Sequence, residues 1–278
     1  MSNLPKISIV TPSYNQGRYL ETTILSILNQ NYPNLEYIVI DGGSKDKSAE
    51  IIQKYEKDLA YWVSEKDKGQ SNAINKGFAK ASGEIYGWLN SDDRLEPGAL
   101  DTIAESFLQH PEVDVFVGHG RKADISGNIV YYKAPDELTF ERFCGWMDGG
   151  NFMQPSCFYR SHVWHEAGPL DESIDIALDV DLWLKMVQKF KFQKIDKLLS
   201  TALVHEEAKT TALINRMKVD CAMVVSRAGG EKYVRRHLDE MADRLTEYEE
   251  CFARLAKNPF VKLVRPWLKN KYKLHSSK

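Results

Sequence analysis

At 278 residues the chain can hold one large α/β domain with a smaller appendage, and it can bury a substantial core. Hydrophobic residues make up 43% and charged residues 27%, with a net charge of −2, which excludes collagen-like, disulfide-scaffold and disordered classes. General nucleic-acid binding is excluded too, because it needs an excess of Lys and Arg to displace counterions.

The first 90 residues read as repeated strand–helix units. Residues 6–11 form a short apolar run ending at Pro12, which suits a buried strand. Leu20, Ile24, Ile27 and Leu28 recur at helical spacing as far as the breaker at residues 31–33. Residues 35–41 are a second strand, stopped by Gly42, Gly43 and Ser44, and Asp46 is placed to cap a helix running to about Tyr55. Residues 60–64 are a third strand. A helix from about Ser71 carries Ala73, Ile74, Gly77, Phe78 and Ala81 on one face. Residues 84–89 are a fourth strand, ending on Asn90, Ser91, Asp92 and Asp93.

Such alternation implies parallel strands joined by right-handed crossovers, with ligands bound beyond the carboxyl ends of the strands. The residues at those ends are 11–15, 41–44, 64–68 and 90–93, all polar, small or acidic. In the second half, residues 97–110 read as a helix and 113–118 as a strand. A hairpin is expected over 125–133 with its turn at 126–128, then a strand over 154–160 and a helix over 181–189. From 206 to about 257 the chain reads as largely helical, interrupted at Gly229 and Gly230. The expected division is therefore a domain over 1–205 and a helical appendage over 206–278.

Cys144, Cys157, Cys221 and Cys251 lie far apart with no C-x-x-C pair, which suits reduced thiols in a cytoplasmic protein. The N-terminus has no signal-peptide pattern, and no run approaches the roughly 20 apolar residues of a spanning helix. Residues 252–278 contain no Asp or Glu, and eight Lys and Arg residues are interleaved there with aromatic and aliphatic ones. That composition suits peripheral contact with the inner face of a membrane, or else a solvated or partner-packed terminal helix.

Six residues in four places are candidates for chemistry. Asp92 and Asp93 form either a polar turn, with Asp93 capping the next helix, or a site for a divalent cation bound to a diphosphate. Asp41 is either a turn residue or an acceptor for a nucleoside. The chain has neither G-x-G-x-x-G nor G-x-x-x-x-G-K-[ST], so no glycine loop neutralises a diphosphate. Of Asp179 and Asp181, either one suits an N-cap and the other a general base, or both are caps or surface residues. His205 is either a metal ligand or a packed histidine.

Together these segments resemble glycosyltransferase family two, the inverting nucleotide-sugar transferases of the GT-A fold. Residues 10–16, 38–46, 64–77, 88–93, 154–160, 168–172 and 178–183 each match one of its motifs in order, over roughly residues 5 to 210. The resemblance implies a Rossmann-like, mostly parallel sheet flanked by helices. It also implies a donor site formed by Thr11, Pro12, Ser13, Tyr14, Asp41, Lys68, Gly69 and Asn72, with Asp92 nearby. Asp93 becomes the main ligand of Mn2+ or Mg2+, His205 a second ligand, and Asp179 the catalytic base. Two departures stand out: Leu178 precedes Asp179 where Glu is common, and Asn72 stands where Asp is common.

The implied reaction moves one sugar from a nucleotide-sugar, UDP-sugars favoured, to a glycan or lipid-linked oligosaccharide in surface polysaccharide synthesis. Two other readings are weaker. A sugar-1-phosphate nucleotidyltransferase needs a glycine-rich loop with Arg and Lys where this chain has residues 11–15. A non-catalytic nucleotide-sugar-binding scaffold has no need of Asp92, Asp93 and Asp179 together.

Overall fold

The computed structural model describes residues 4–205 and 214–257. Its contacts divide the chain into two compact units, Met1–Gly230 and Glu231–Lys278. The first runs past the boundary expected at residue 205, because helix α8 (Ile214–Arg227) packs on the first unit and buries Cys221, Val224 and Val225. The second unit contains helix α9 (Glu231–Lys257).

The four expected parallel strands are present. They are β1 (Ile7–Ser13), β2 (Leu35–Asp41), β3 (Tyr61–Ser64) and β4 (Ile85–Trp88). Their crossovers contain α1 (Gly17–Leu28), α2 (Ser48–Lys54) and α3 (Gln70–Phe78). The sheet continues with β5 (Arg94–Leu95), β6 (Val115–Ala123), β7 (Ile129–Lys133), β8 (Cys157–Arg160) and β9 (Phe192–Leu203). The spatial order is β3-β2-β1-β4-β8-β6-β9-β5, with β7 paired to β6. The second half departs from parallel pairing: β8 runs antiparallel to β4 and β6, and β5 antiparallel to β9.

One face of the sheet packs on α1 and α4 (Ala99–Gln109). Leu20, Ile24, Ile27, Leu100 and Ile103 meet Ile7, Ile9, Tyr37 and Val39 in one buried cluster. Each such aliphatic side chain contributes about 1.5–3 kcal/mol through the area it removes from water. The other face carries α3, α6 (Ser161–Ala167) and α7 (Leu178–Val187) over an aromatic layer. There Phe78 lies 5.0 Å from Tyr86 and 4.3 Å from Trp164, centroid to centroid. A Cβ on Gly77 would come 2.3 Å from Val10 Cγ1, so glycine there lets α3 lie close on β1.

The edge opposite the candidate site is tied by Glu36. Its carboxylate accepts from Lys6 Nζ at 2.6 Å, Ser8 Oγ at 2.6 Å, and Ser82 N and Oγ at 2.7 Å each. Burial alone would raise its pKa, but the hydrogen bonds win and hold it at about 2 against an ordinary 4.5. A depressed folded pKa means stability present above pH 4.5 and lost as pH falls through 2. Glu36→Gln is therefore expected to cost about 2–3 kcal/mol in urea unfolding at pH 7, shrinking towards zero near pH 2. An equal cost at both pH values would place the effect in packing instead of charge.

Candidate active site

Beyond the carboxyl ends of β1 to β4 the backbone brings the sequence candidates to one edge. Ser13 is in register with Asp41, and Asp41 with Ser64, while Trp88 pairs further back with Val10. The chain after Trp88 then turns along this edge through residues 90–93. Helix α1 fixes that turn: Thr23 Oγ1 donates to Ser91 O at 2.9 Å and to Asp93 O at 2.7 Å.

Asp93 does not cap a helix, because it runs straight into β5 and the next helix begins at Ala99. It is 5% exposed, and its carboxylate accepts from Asn90 Nδ2 at 3.2 Å. Burial, then the neighbouring Asp92 charge, pushes its pKa well above the ordinary 3.8, and the Lys122 field offsets only part of this. Asp92 faces His205 instead, Oδ2 to Nε2 at 3.0 Å, and the imidazole also lies 4.6 Å from the Tyr19 ring. His205 arrives there because β9 pairs antiparallel with β5, Thr201 opposite Arg94, so the end of β9 comes back over residue 92. His205 Nδ1 is buried without a hydrogen-bond partner. Carboxylate oxygens and an imidazole nitrogen are donor types that a divalent cation takes, but Asp92, Asp93 and His205 do not bring one ligand atom each within 4.8 Å of one another, so the donor chemistry fits while the three are not gathered as a closed site.

An amide network links this turn to its neighbours. Gln70 Nε2 donates to Asn90 Oδ1 at 2.9 Å, Asn90 Nδ2 to Gln154 Oε1 at 3.2 Å, and Gln154 Nε2 to Trp88 O at 3.0 Å. Gln70 and Gln154 were not singled out as site residues. Both lie inside segments that match the family's motifs, Gln70 in 64–77 and within the 68–72 loop, Gln154 at the start of 154–160.

The expected donor-site residues divide by what their side chains already hold. Thr11 is fully buried, and its Oγ1 accepts from Tyr37 OH at 3.1 Å, so its hydroxyl is turned into the core. Pro12 is buried beside it. Ser13 Oγ is buried without a partner, and Tyr14 is 58% exposed. Asp41 accepts from Gly43 N at 3.2 Å, Ser44 N at 2.9 Å, Ser44 Oγ at 2.5 Å and Ser64 Oγ at 2.6 Å. Three of these reach Oδ2 and one reaches Oδ1, so Asp41 anchors the turn while Oδ1 keeps an acceptor site for a further donor.

Lys68 is exposed, and Gly69 takes φ +111° at the start of α3, a conformation that L side chains rarely adopt. Asn72 donates through Nδ2 to Glu172 Oε1 at 2.9 Å. An aspartate at 72 would set two carboxylates against each other, which accounts for the departure noted in the sequence. Asp46 stands one residue before the N-cap position of α2, Lys47, and its side chain takes up the helix's first N–H, at Ser48. Its Oδ2 accepts from Gly17 N at 2.8 Å, at the start of α1, and its Oδ1 accepts from Ser48 N and Oγ at 2.9 and 2.6 Å.

Neither Asp179 nor Asp181 is the N-cap of α7, since that position is Ala177. Asp181 pairs with Lys185 at 2.6 Å. Asp179 accepts from the Val180 N–H, at 2.8 Å, and from its own backbone N–H. It shares a helix face with Trp183, which stacks on Trp88 at 5.3 Å and 11°. That contact turns the Asp179 face towards the end of β4. Position near a helix N-terminus favours the carboxylate, but burial prevails and raises its pKa to about 6.

A sheet of this order with a buried acidic turn at the end of β4 defines a glycosyltransferase of the GT-A fold. The model of glycosyl transferase family 2 matches residues 8–167, more than half of the chain, and the chain belongs to that family. Chondroitin synthase of Escherichia coli is 28% identical over 84% of this chain, and the chain spans 34% of that protein's length. The S. aureus TarS fragment 1–349 in complex with UDP-GlcNAc superposes with a TM-score of 0.61 at 19% identity, over 80% of this chain and 66% of that one. The mannosyltransferase PcManGT of Pyrobaculum calidifontis, in complex with GDP-Man and Mn2+, gives 0.60 at 16% identity, over 99% and 89%.

Proposed function

We propose that the chain is an inverting glycosyltransferase that moves one sugar from a UDP-sugar to a hydroxyl of a glycan or lipid-linked oligosaccharide. The setting is surface polysaccharide synthesis on the cytoplasmic side of a membrane. The observation that carries this reading is Asp179: a carboxylate with no ion pair among the described residues, raised to about pKa 6, on the helix face anchored at the end of β4. The acidic pair, the family membership and the nucleotide-sugar complexes of TarS and PcManGT support it.

In this reading the acceptor oxygen attacks the sugar C1 from the face opposite the diphosphate. The C1–oxygen bond breaks, its electron pair leaves with the diphosphate, and the acceptor proton passes to Asp179. A base of pKa about 6 is better matched to this task near neutral pH than an ordinary aspartate. Asp93, with Asp92 and His205 beside it, would hold a divalent cation, which as a Lewis acid stabilises negative charge on phosphate oxygens. Gln70, Asn90 and Gln154 hold the Asp93 turn in place. Tyr14, Lys68 and the Ser13 hydroxyl line the donor side.

Among the described residues no helix is long and apolar enough to cross a membrane. The basic run behind the membrane expectation lies mostly in residues 258–278, outside the described residues.

A thermal-shift screen of UDP, GDP and dTDP sugars with and without manganese tests the reading. UDP-sugars are expected to raise Tm by several degrees, more so with the metal, at concentrations about 100-fold above Kd. Stabilisation by none of these donors would overturn it. Donor binding without hydrolysis or transfer would favour a scaffold.

A further inference from the structure

Helix α9 carries a second pattern that the active site does not use. Leu238, Met241, Leu245, Tyr248, Phe252 and Leu255 follow one another at alternating steps of three and four, with Val234 one step before. This is a heptad seam, with Leu238, Leu245 and Phe252 at a and Val234, Met241, Tyr248 and Leu255 at d. It is narrower than the apolar stripe by which a helix packs on a globular core. Every side chain from 238 to 255 is exposed, the seam residues there by 46–70%, while Val234 is half-buried. A long helix with its apolar stripe in water lacks the packing that supplies most helix stability in proteins, so the stripe calls for a cover.

The charges beside the seam identify the cover. From Asp239 to Glu250 there are six acidic residues and one basic residue, Arg244. Five of the acidic residues stand at outer b, c and f positions, and the stretch lacks the Lys and Arg enrichment of interfacial helices. A second copy of the same helix fits instead. In a parallel, in-register pair, Arg244 at g meets the partner's Glu249 at e of the next heptad, twice per dimer. On the outer face Arg236 and Arg254 already pair along the helix with Glu240 and Glu250, at 3.8 and 3.1 Å. Among the described residues Arg244 and Glu249 form no ion pair within the monomer. The two charges that the parallel pairing needs are thus left unused by the single chain.

We propose that α9 is a dimerisation helix, pairing with a second copy of this chain as a parallel, in-register coiled coil along the Leu238–Leu255 seam. This is independent of the donor and the reaction.

Sedimentation equilibrium of the full chain tests it, with circular dichroism and melting as fold controls. Wild type is expected to form dimers with a Kd on the order of micromolar, and Leu245→Glu to raise that Kd more than about 100-fold. Arg244→Glu alone is expected to raise it by about tenfold, and adding Glu249→Arg to restore it. A wild type that stays monomeric at roughly 100 μM overturns the proposal. So does a dimer indifferent to Leu245→Glu, or a charge swap that does not rescue. Binding to phosphatidylserine vesicles that Leu245→Glu abolishes, in a protein that does not self-associate, would assign the seam to lipid and overturn it as well.

Discussion

Asp93→Ala is expected to lower transfer turnover by about 10³-fold or more, since a bound cation supplies several kcal/mol of charge stabilisation. The structure ranks Asp93 above Asp92. Asp93 is the more deeply buried of the two and is held by the amide network through Asn90, whereas Asp92 leans on His205. Asp92→Ala is therefore expected to cost less, about 10–100-fold, and His205→Ala a similar amount, because each removes one neighbour of the proposed main ligand. A second readout separates metal loss from misfolding. Manganese should raise the Tm of wild type and leave Asp93→Ala unmoved, while the two proteins melt alike without metal to within a few degrees. Undiminished turnover in Asp93→Ala would remove the acidic turn from the mechanism.

The part of the fold that could be read from the sequence is the part in which local pattern and tertiary pairing agree. Strands β1 to β4 are short apolar runs, each stopped by a turn residue, and their crossover helices repeat at helical spacing. Strand β9 escaped notice for a physical reason. Residues 192–203 mix Gln193, Lys194, Asp196 and Lys197 among apolar positions, and the pairing with β6 slips register twice between Val117 and Gly120, so no clean alternation survives. Strand β5 has two residues and no signal of its own, yet its pairing with β9 carries His205 across 113 positions to Asp92.

Individual roles were harder to read than the edge itself. The sequence set Asp41 at the right strand end, but could not show that four local donors occupy its carboxylate. Asp179 and Asp181 were not separable while the helix was expected to begin at 181. It begins at Leu178, which puts Asp179 in line with Trp183 and leaves Asp181 to Lys185. Likewise, α8 reads as appendage by composition, and only its packing assigns it to the first unit.

Asp179→Asn is the substitution in which rate, pH profile and stability must all move together. As the proposed general base it would contribute about 10²–10⁴-fold to the rate, so turnover should fall by that factor while donor affinity is expected to stay the same. In wild type the acid limb of kcat/KM should follow the raised pKa, falling tenfold per unit below about pH 6. The variant should lose that limb. Its stability should move in the opposite direction to its rate. A folded pKa of about 6 above an ordinary 3.8 means that the folded chain binds this proton more tightly than the unfolded one. The ionised carboxylate therefore destabilises the fold progressively from about pH 4 to 6, and fully above that. Asn removes the penalty, so the variant should be more stable than wild type by about 1–3 kcal/mol at pH 7.5 and no more stable at pH 4. A less stable variant at pH 7.5 would show that this carboxylate is held by interactions instead of strained by burial. Turnover within a few-fold of wild type would move the proton transfer to another group.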